Sequence, residues 1–276
     1  MNTVRRVSYV FLCIVPFLSI VVGGVRALRV PGVYQAVGAA YFAAIVIAAW
    51  TLSAGAIRAD VQGRRLLGVA GTLLVTPFAL IALFWVGLGP PWQANPAENQ
   101  MRYLVLIVMA TAIAGGFVAL REALSEAGER FYATLGFVAI MLSSPLYLIW
   151  NSFEFAAYFG KEHSGEVPTA IVSLSDMGDL LLFVAGFLTY LATVAFAASL
   201  GRVQWLGRKA TREFVIVNAV ALLFLVIRGL QFPNPRALST PWYINLGFVV
   251  GIPAVPFIMP YLLGAVLLRR AGDEQR

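Results

Sequence analysis

The chain holds one histidine (His163), one cysteine (Cys13) and two lysines (Lys161 and Lys209) in 276 residues, and only 12% of it is charged. Each scarcity closes off chemistry. One histidine, placed between apolar runs, excludes bis-histidine haem ligation, a multi-histidine metal site and an H-E-x-x-H metalloprotease. One cysteine excludes an intramolecular disulfide and a cysteine-rich metal site. Both lysines fall between apolar runs, so no intramembrane amine is available for a retinal Schiff base. The sequence has no Gly-x-Ser-x-Gly elbow, no paired mid-membrane aspartates, no P-loop and no G-x-G-x-x-G. No cofactor and no metal are expected, and the balance leans away from an enzyme.

What is abundant is apolar sequence: 60% of residues, with a mean hydropathy of +0.83. A soluble domain carries roughly 25% charged residues, about twice the fraction here. Eight apolar runs stand out: Val7–Val25, Tyr34–Ile57, Leu66–Gly89, Tyr103–Leu120, Phe131–Phe153, Met177–Leu200, Phe214–Phe232 and Trp242–Leu268. A helix needs about 20 apolar residues to cross about 30 Å of hydrocarbon. In lipid the backbone must satisfy itself, which leaves helices or closed barrels, and the period-2 alternation of a barrel strand is absent. The expected fold is all-α: one integral membrane domain over residues 1–276, a polytopic bundle of eight spans.

The first run, preceded by Arg5 and Arg6, resembles a signal peptide in charge. At about 19 residues it exceeds the 7–15 of a signal core, and no A-x-A-like site follows. It is read as an uncleaved span. Leu12 is too bulky for the residue before a lipidated Cys13.

Basic residues occupy alternate gaps. Arg5, Arg6, Arg58, Arg64, Arg65, Arg121, Arg130, Arg202, Arg208, Lys209, Arg212, Arg269, Arg270 and Arg276 fall on one side, and Arg26, Arg29, Arg102, Lys161, Arg228 and Arg236 on the other. The positive-inside rule then places both termini in the cytoplasm, and a bacterial-type inner (plasma) membrane fits. The net charge of +7 is scattered between runs and forms no long patch, so nucleic acid is not an expected partner. Three hairpins share a rhythm, turning through Arg58–Arg65, Arg121–Arg130 and Arg202–Arg212 and ending outside near Trp85, near Trp150 and Asn151, and near Arg228. Topology rules generate this rhythm without any functional repeat.

Intramembrane charge defaults to function. Arg228 is 15th in its run, about 20 Å from the cytoplasmic start, at a depth matching Asp179 in the antiparallel run before it. Asn151 and Glu154, three apart, share a helix face. With Asp176 and Gln231 these six residues outline an outward-facing vestibule for a small polar or cationic ligand. The competing explanation is structural: Arg228 snorkels, Asp176 and Asp179 cap a helix start, and Asn151 and Glu154 are ordinary interfacial groups. Pro253, Pro256 and Pro260 are expected to kink or break the last run, and broken helices line transporter sites. Gly247 and Gly251 form a G-x-x-x-G that permits close helix contact, including contact between copies of the chain. Trp85, Trp92, Trp242 and Tyr243 read as an interfacial aromatic belt, and the stretch from Glu154 to Asp176 as the longest outer loop.

Three functions remain open. One is a small-solute transporter or channel-like protein with a polar site near the outer leaflet. Another is a non-catalytic complex subunit, scaffold or sensor. The weakest is a lipid-modifying enzyme using outer carboxylates, which lacks a general base. Beyond the lipid bilayer, the sequence names no partner.

Overall fold

The computed structural model describes residues 3–24, 33–82, 94–230, 246–252 and 255–273. All regular structure among these residues is helical: α1 (Thr3–Gly24), α2 (Val33–Ile57), α3 (Gln62–Ala82), α4 (Pro96–Glu126), α5 (Phe131–Ser164), α6 (Thr169–Ser173), α7 (Ser175–Arg202), α8 (Arg208–Leu230), α9 (Leu246–Gly251) and α10 (Ile258–Asp273). Every apolar run but the last is helical over its described residues; the last is interrupted between Gly251 and Ile258. Among the described residues, five segments are long and apolar enough to cross a membrane: Ala36–Ile57, Pro96–Glu126, Phe131–Ser164, Leu180–Arg202 and Arg208–Gly229.

Two helices run beyond their apolar cores. Asn95 and Glu98 form a reciprocal capping box, the Asn95 side chain accepting from the Glu98 amide at 2.8 Å and Glu98 accepting from the Asn95 amide at 3.1 Å, with Pro96 in the first turn. That box starts α4 seven residues before the apolar run at Tyr103. α5 continues to Ser164 and stops at Gly165, which adopts a left-handed φ of 78°. The stretch from Glu154 to Asp176 is therefore mostly helix, which corrects the expected loop. His163 sits in the last turn of α5, bonded to the Phe159 carbonyl at 2.9 Å.

Consecutive helices pack side by side from α1 through α5, then α7 and α8, and α10 returns to lie against α1, α2 and α3. Small residues allow the close crossings. A Cβ on Gly71 would sit 2.7 Å from Leu268 Cγ and 3.0 Å from the Gly264 carbonyl, so the backbones of α3 and α10 meet there. Gly136 of α5 takes the ring of Phe196 of α7 in the same way. α8 is peripheral: 17% of its span is buried, against 50% for α4 and for α7.

The arginine-bearing gaps gather at one end of the bundle. Arg5 donates to the carbonyls of Gly272 and Leu52, and Arg64 Nε to that of Ala271. These guanidinium groups satisfy carbonyls that the end of α10 leaves without helical partners, and they oppose its negative dipole end. Tyr261 ties the same helix to α1 by donating to the Leu12 carbonyl at 2.6 Å.

At the turn into α5, buried Glu129 accepts from the Tyr132 amide at 2.9 Å and from Arg202 Nε at 2.8 Å, while Arg202 stacks over the Tyr132 ring. Arg202 is largely exposed, so the ion pair itself contributes little; the helix cap carries the effect. Glu129→Ala is expected to cost about 1–2 kcal/mol, and Glu129→Gln, which keeps an acceptor for Tyr132, clearly less. Thermal denaturation in detergent checks the order of the two variants.

Candidate functional site

Polar residues recur along the inner face of α5. Ser143, Tyr147, Asn151, Glu154 and Tyr158 stand at intervals of three and four, which places them in one stripe. Fifteen residues at 1.5 Å each give the stripe a length of about 22 Å. Ser143, Tyr147 and Asn151 are buried, and Glu154 and Tyr158 are half-buried.

Near the middle of the bundle the stripe meets α7. Ser143 Oγ donates to the Ala185 carbonyl and lies 2.9 Å from Thr189 Oγ1, and the Tyr147 hydroxyl faces Thr189. The interruption of the last apolar run lies against the same place. α9 ends at Gly251 and α10 begins at Ile258. Phe257 packs on Tyr147 with ring centroids 5.0 Å apart, Pro256 lies over Gly186 of α7, and Tyr190 donates to the Val250 carbonyl at 2.9 Å. That last bond supplies a donor to a carbonyl at the end of α9, which a broken helix would otherwise strand.

At the other end the stripe meets α4. Arg102 is 0% exposed and Asn99 is also fully buried. The Tyr103 hydroxyl bonds to Glu154, and both Tyr103 and Tyr158 lie within the fields of Arg102 and Glu154. The Tyr103 ring stacks on Tyr158 at 5.7 Å and meets Trp150 edge-on at 5.6 Å, while Gln100 donates to the Tyr158 carbonyl at 3.2 Å. Asn151 Oδ1, in a residue 1% exposed, has no hydrogen-bond partner among the described residues. A buried acceptor left without a donor costs about 1–3 kcal/mol. This acceptor is therefore suited to a donor brought by water or by a solute.

Of the six residues in the expected vestibule, the structure brings together Asn151 and Glu154. Asp176 and Asp179 lie on the first turns of α7, with side chains outside the described residues, and Gln231 lies outside them too. Trp150 approaches the same turns at Gly178. Arg228 occupies the last turn of α8, half-buried, with its guanidinium against the bare backbone of α9: a Cβ on Gly251 would be 2.5 Å from Nη1. Gly247 and Gly251 are both buried, and Gly251 meets Arg228 and Leu225 of α8. Pro256 and Pro260 are buried, Pro260 in the first turn of α10 where its missing amide costs nothing. Pro253 and the aromatic residues Trp85, Trp92, Trp242 and Tyr243 lie outside the described residues.

Arg102 is the principal residue that hydropathy misplaces: counted as an outer-loop cation, it lies within α4 and inside the bundle. The N-P-A-E capping signal at 95–98 is the feature that locates it. No group of three or more His, Cys, Asp or Glu side chains is placed to hold a metal among the described residues.

The helices and their apolar exteriors define the class: an all-helical integral membrane protein. No family model, no curated protein and no solved structure matches the chain.

Proposed function

We propose that the chain crosses a bacterial-type inner membrane eight times, with both termini on the arginine-rich cytoplasmic face, and moves a small polar solute past the α5 stripe. The observation that carries this reading is the stripe on membrane-length α5, with the Asn151 Oδ1 that has no partner among the described residues, together with fully buried Arg102 of α4 at its far end. Polar groups at such depth are costly and mark solute or ion pathways. The interrupted α9–α10 segment, beside Ser143, Tyr147 and Thr189, supports it, because non-helical backbone at membrane depth is tolerated where it is buried in protein or lines a cavity. Arg102 supplies a guanidinium for an acceptor on the solute, and Glu154 and Asn151 supply acceptors for its donors.

Cysteine accessibility tests this. In a Cys13→Ala background, Ser143→Cys, Asn151→Cys and Glu154→Cys are exposed in intact cells to a membrane-impermeant thiol reagent. Reaction at all three, slowing from Glu154 inward to Ser143, is the expected result. Ser143→Cys changes one atom, so it keeps the test meaningful should either larger change fail to fold. Folded Ser143→Cys and Asn151→Cys proteins that never react would mean that the stripe is sealed packing. The chain would then be better read as a non-catalytic subunit or scaffold.

A further inference from the structure

The polar stripe of α5 does not run the whole length of its helix. Toward the arginine-rich end, the face that carries Ser143 continues through Ile140, Gly136 and Ala133, all buried. Gly136 stands seven residues from Ser143, about 10 Å along the axis. A Cβ there would be 2.7 Å from the Phe196 ring and 3.2 Å from the Ala192 carbonyl, so α5 and α7 cross closely at this point. The bare α-carbon forms a notch, and the Phe196 ring fills it. Phe117 of α4 stacks on that ring with centroids 5.0 Å apart, and both side chains are 0% exposed.

Polar groups resume on the far side of the ring. Positions 185, 189, 192, 196 and 199 of α7 alternate at steps of four and three, which turns them all toward α5. Thr189, on one side of Phe196, meets Ser143 at 2.9 Å. Ser199, one turn away on the other side, is fully buried, and its Oγ has no hydrogen-bond partner among the described residues. Past it stands the Glu129–Arg202 pair at the end of the bundle. One apolar layer thus separates two polar stretches of the same α5–α7 seam. A seam that only held two helices together would gain nothing from a buried, unpartnered hydroxyl.

We propose that Phe196, seated in the Gly136 notch and backed by Phe117, is the gate that closes the α5 route toward the arginine-rich face. The proposal rests on the stripe being a solute route. Apolar constrictions stop water and polar solutes by dewetting, and opening requires the ring to leave the notch.

Cys13→Ala/Ser143→Cys protein would be probed with a small, membrane-impermeant thiol reagent from both faces, in intact cells and in inside-out vesicles. The introduced thiol should react in cells, and at a small fraction of that rate in vesicles. Adding Phe196→Ala should raise the vesicle rate roughly thirtyfold, the ratio to which about 2 kcal/mol of lost ring burial converts, and leave the rate in cells unchanged. Phe78→Ala removes an equally buried ring from α3, where it packs on Tyr261, and should change neither rate. A similar rise with Phe78→Ala, or a rise from both faces with Phe196→Ala, would mean general loosening and overturn the gate. Equal rates from the two faces with Phe196 in place would overturn it too. If Phe196→Ala fails to fold, Phe196→Leu, which keeps most of the apolar volume, should still raise the vesicle rate; an unchanged rate would overturn the gate. A folded protein whose introduced thiol never reacts in cells would sink the stripe as a route. Reaction in cells with no gain from Phe196→Ala in vesicles would sink the gate alone.

Discussion

Arg102→Ala is expected to lower the thermal midpoint of the purified protein by about 6–20 °C, the largest effect of any single side chain discussed here. Truncating a large, fully buried side chain costs about 3–5 kcal/mol, and each kcal/mol moves the midpoint by roughly 2–4 °C in a chain of this size class. Arg102 is fully buried, and its charge and that of Glu154 act on the same two tyrosines. Truncation opens a void the size of the guanidinium stem. It also leaves Glu154 beside Tyr103 without the nearby positive charge. Arg102→Met/Glu154→Gln, which removes both charges while keeping volume, should recover much of the loss, because burying a charge costs far more than burying an apolar or amide group of similar size. Recovery in the double variant beyond the sum of the two single changes measures the coupling. A midpoint within about 2 °C of wild type for Arg102→Ala would mean that water fills the space and that the guanidinium contributes no net stability.

That residue also marks where the sequence stops being readable. Hydropathy locates the apolar bodies of the long helices, because lipid-facing and buried positions are both apolar, and the arginine-bearing gaps do collect at one end through Arg5, Arg64 and Arg202. The same averaging fails at helix ends. At α4 the apolar run begins at Tyr103, while the helix is started by Asn95, Pro96 and Glu98. Reading the run alone puts Arg102 in a loop; reading the cap puts it one to two turns into a helix. The α5 stripe was half legible: Asn151 and Glu154 are visibly on one face, but Ser143 and Tyr147 look like ordinary members of an apolar run until α7 and the α9–α10 interruption are seen beside them. The Phe117–Phe196 layer was not legible at all, since the two rings meet only once α4 and α7 have both packed on α5.

The second large effect is expected at the crossing of α3 and α10. Gly264→Val should strip α10 from the bundle and abolish the monodisperse peak in fluorescence-detected gel filtration. A Cβ at 264 would lie 2.7 Å from Leu74 Cβ and 3.1 Å from the Gly71 carbonyl. Neither neighbour is the free end of a flexible side chain, so the helices must separate. Overpacking of a rigid contact costs about 1–3 kcal/mol and occasionally more; a backbone-to-backbone crossing belongs at the upper end. Separation would also weaken the hydrogen bonds from Arg5, Arg64 and Tyr261 that hold the same helix. Gly115→Ala is the matched control, because a Cβ there meets its nearest neighbour at 3.7 Å, and it should behave as wild type.

The partnership of α10 with α1 and α3 has a consequence for synthesis. The bonds from Arg5 to Gly272 and from Tyr261 to Leu12 span 267 and 249 residues of sequence. At about 5–20 residues per second, the groove around Gly71 waits on the order of 10–40 s after emerging before the helix that fills it has been made. During that interval the early helices expose a surface shaped for a partner still inside the ribosome. A chain stalled or truncated before residue 258 would therefore carry an open seam, a feature by which membrane quality control could tell unfinished copies from finished ones.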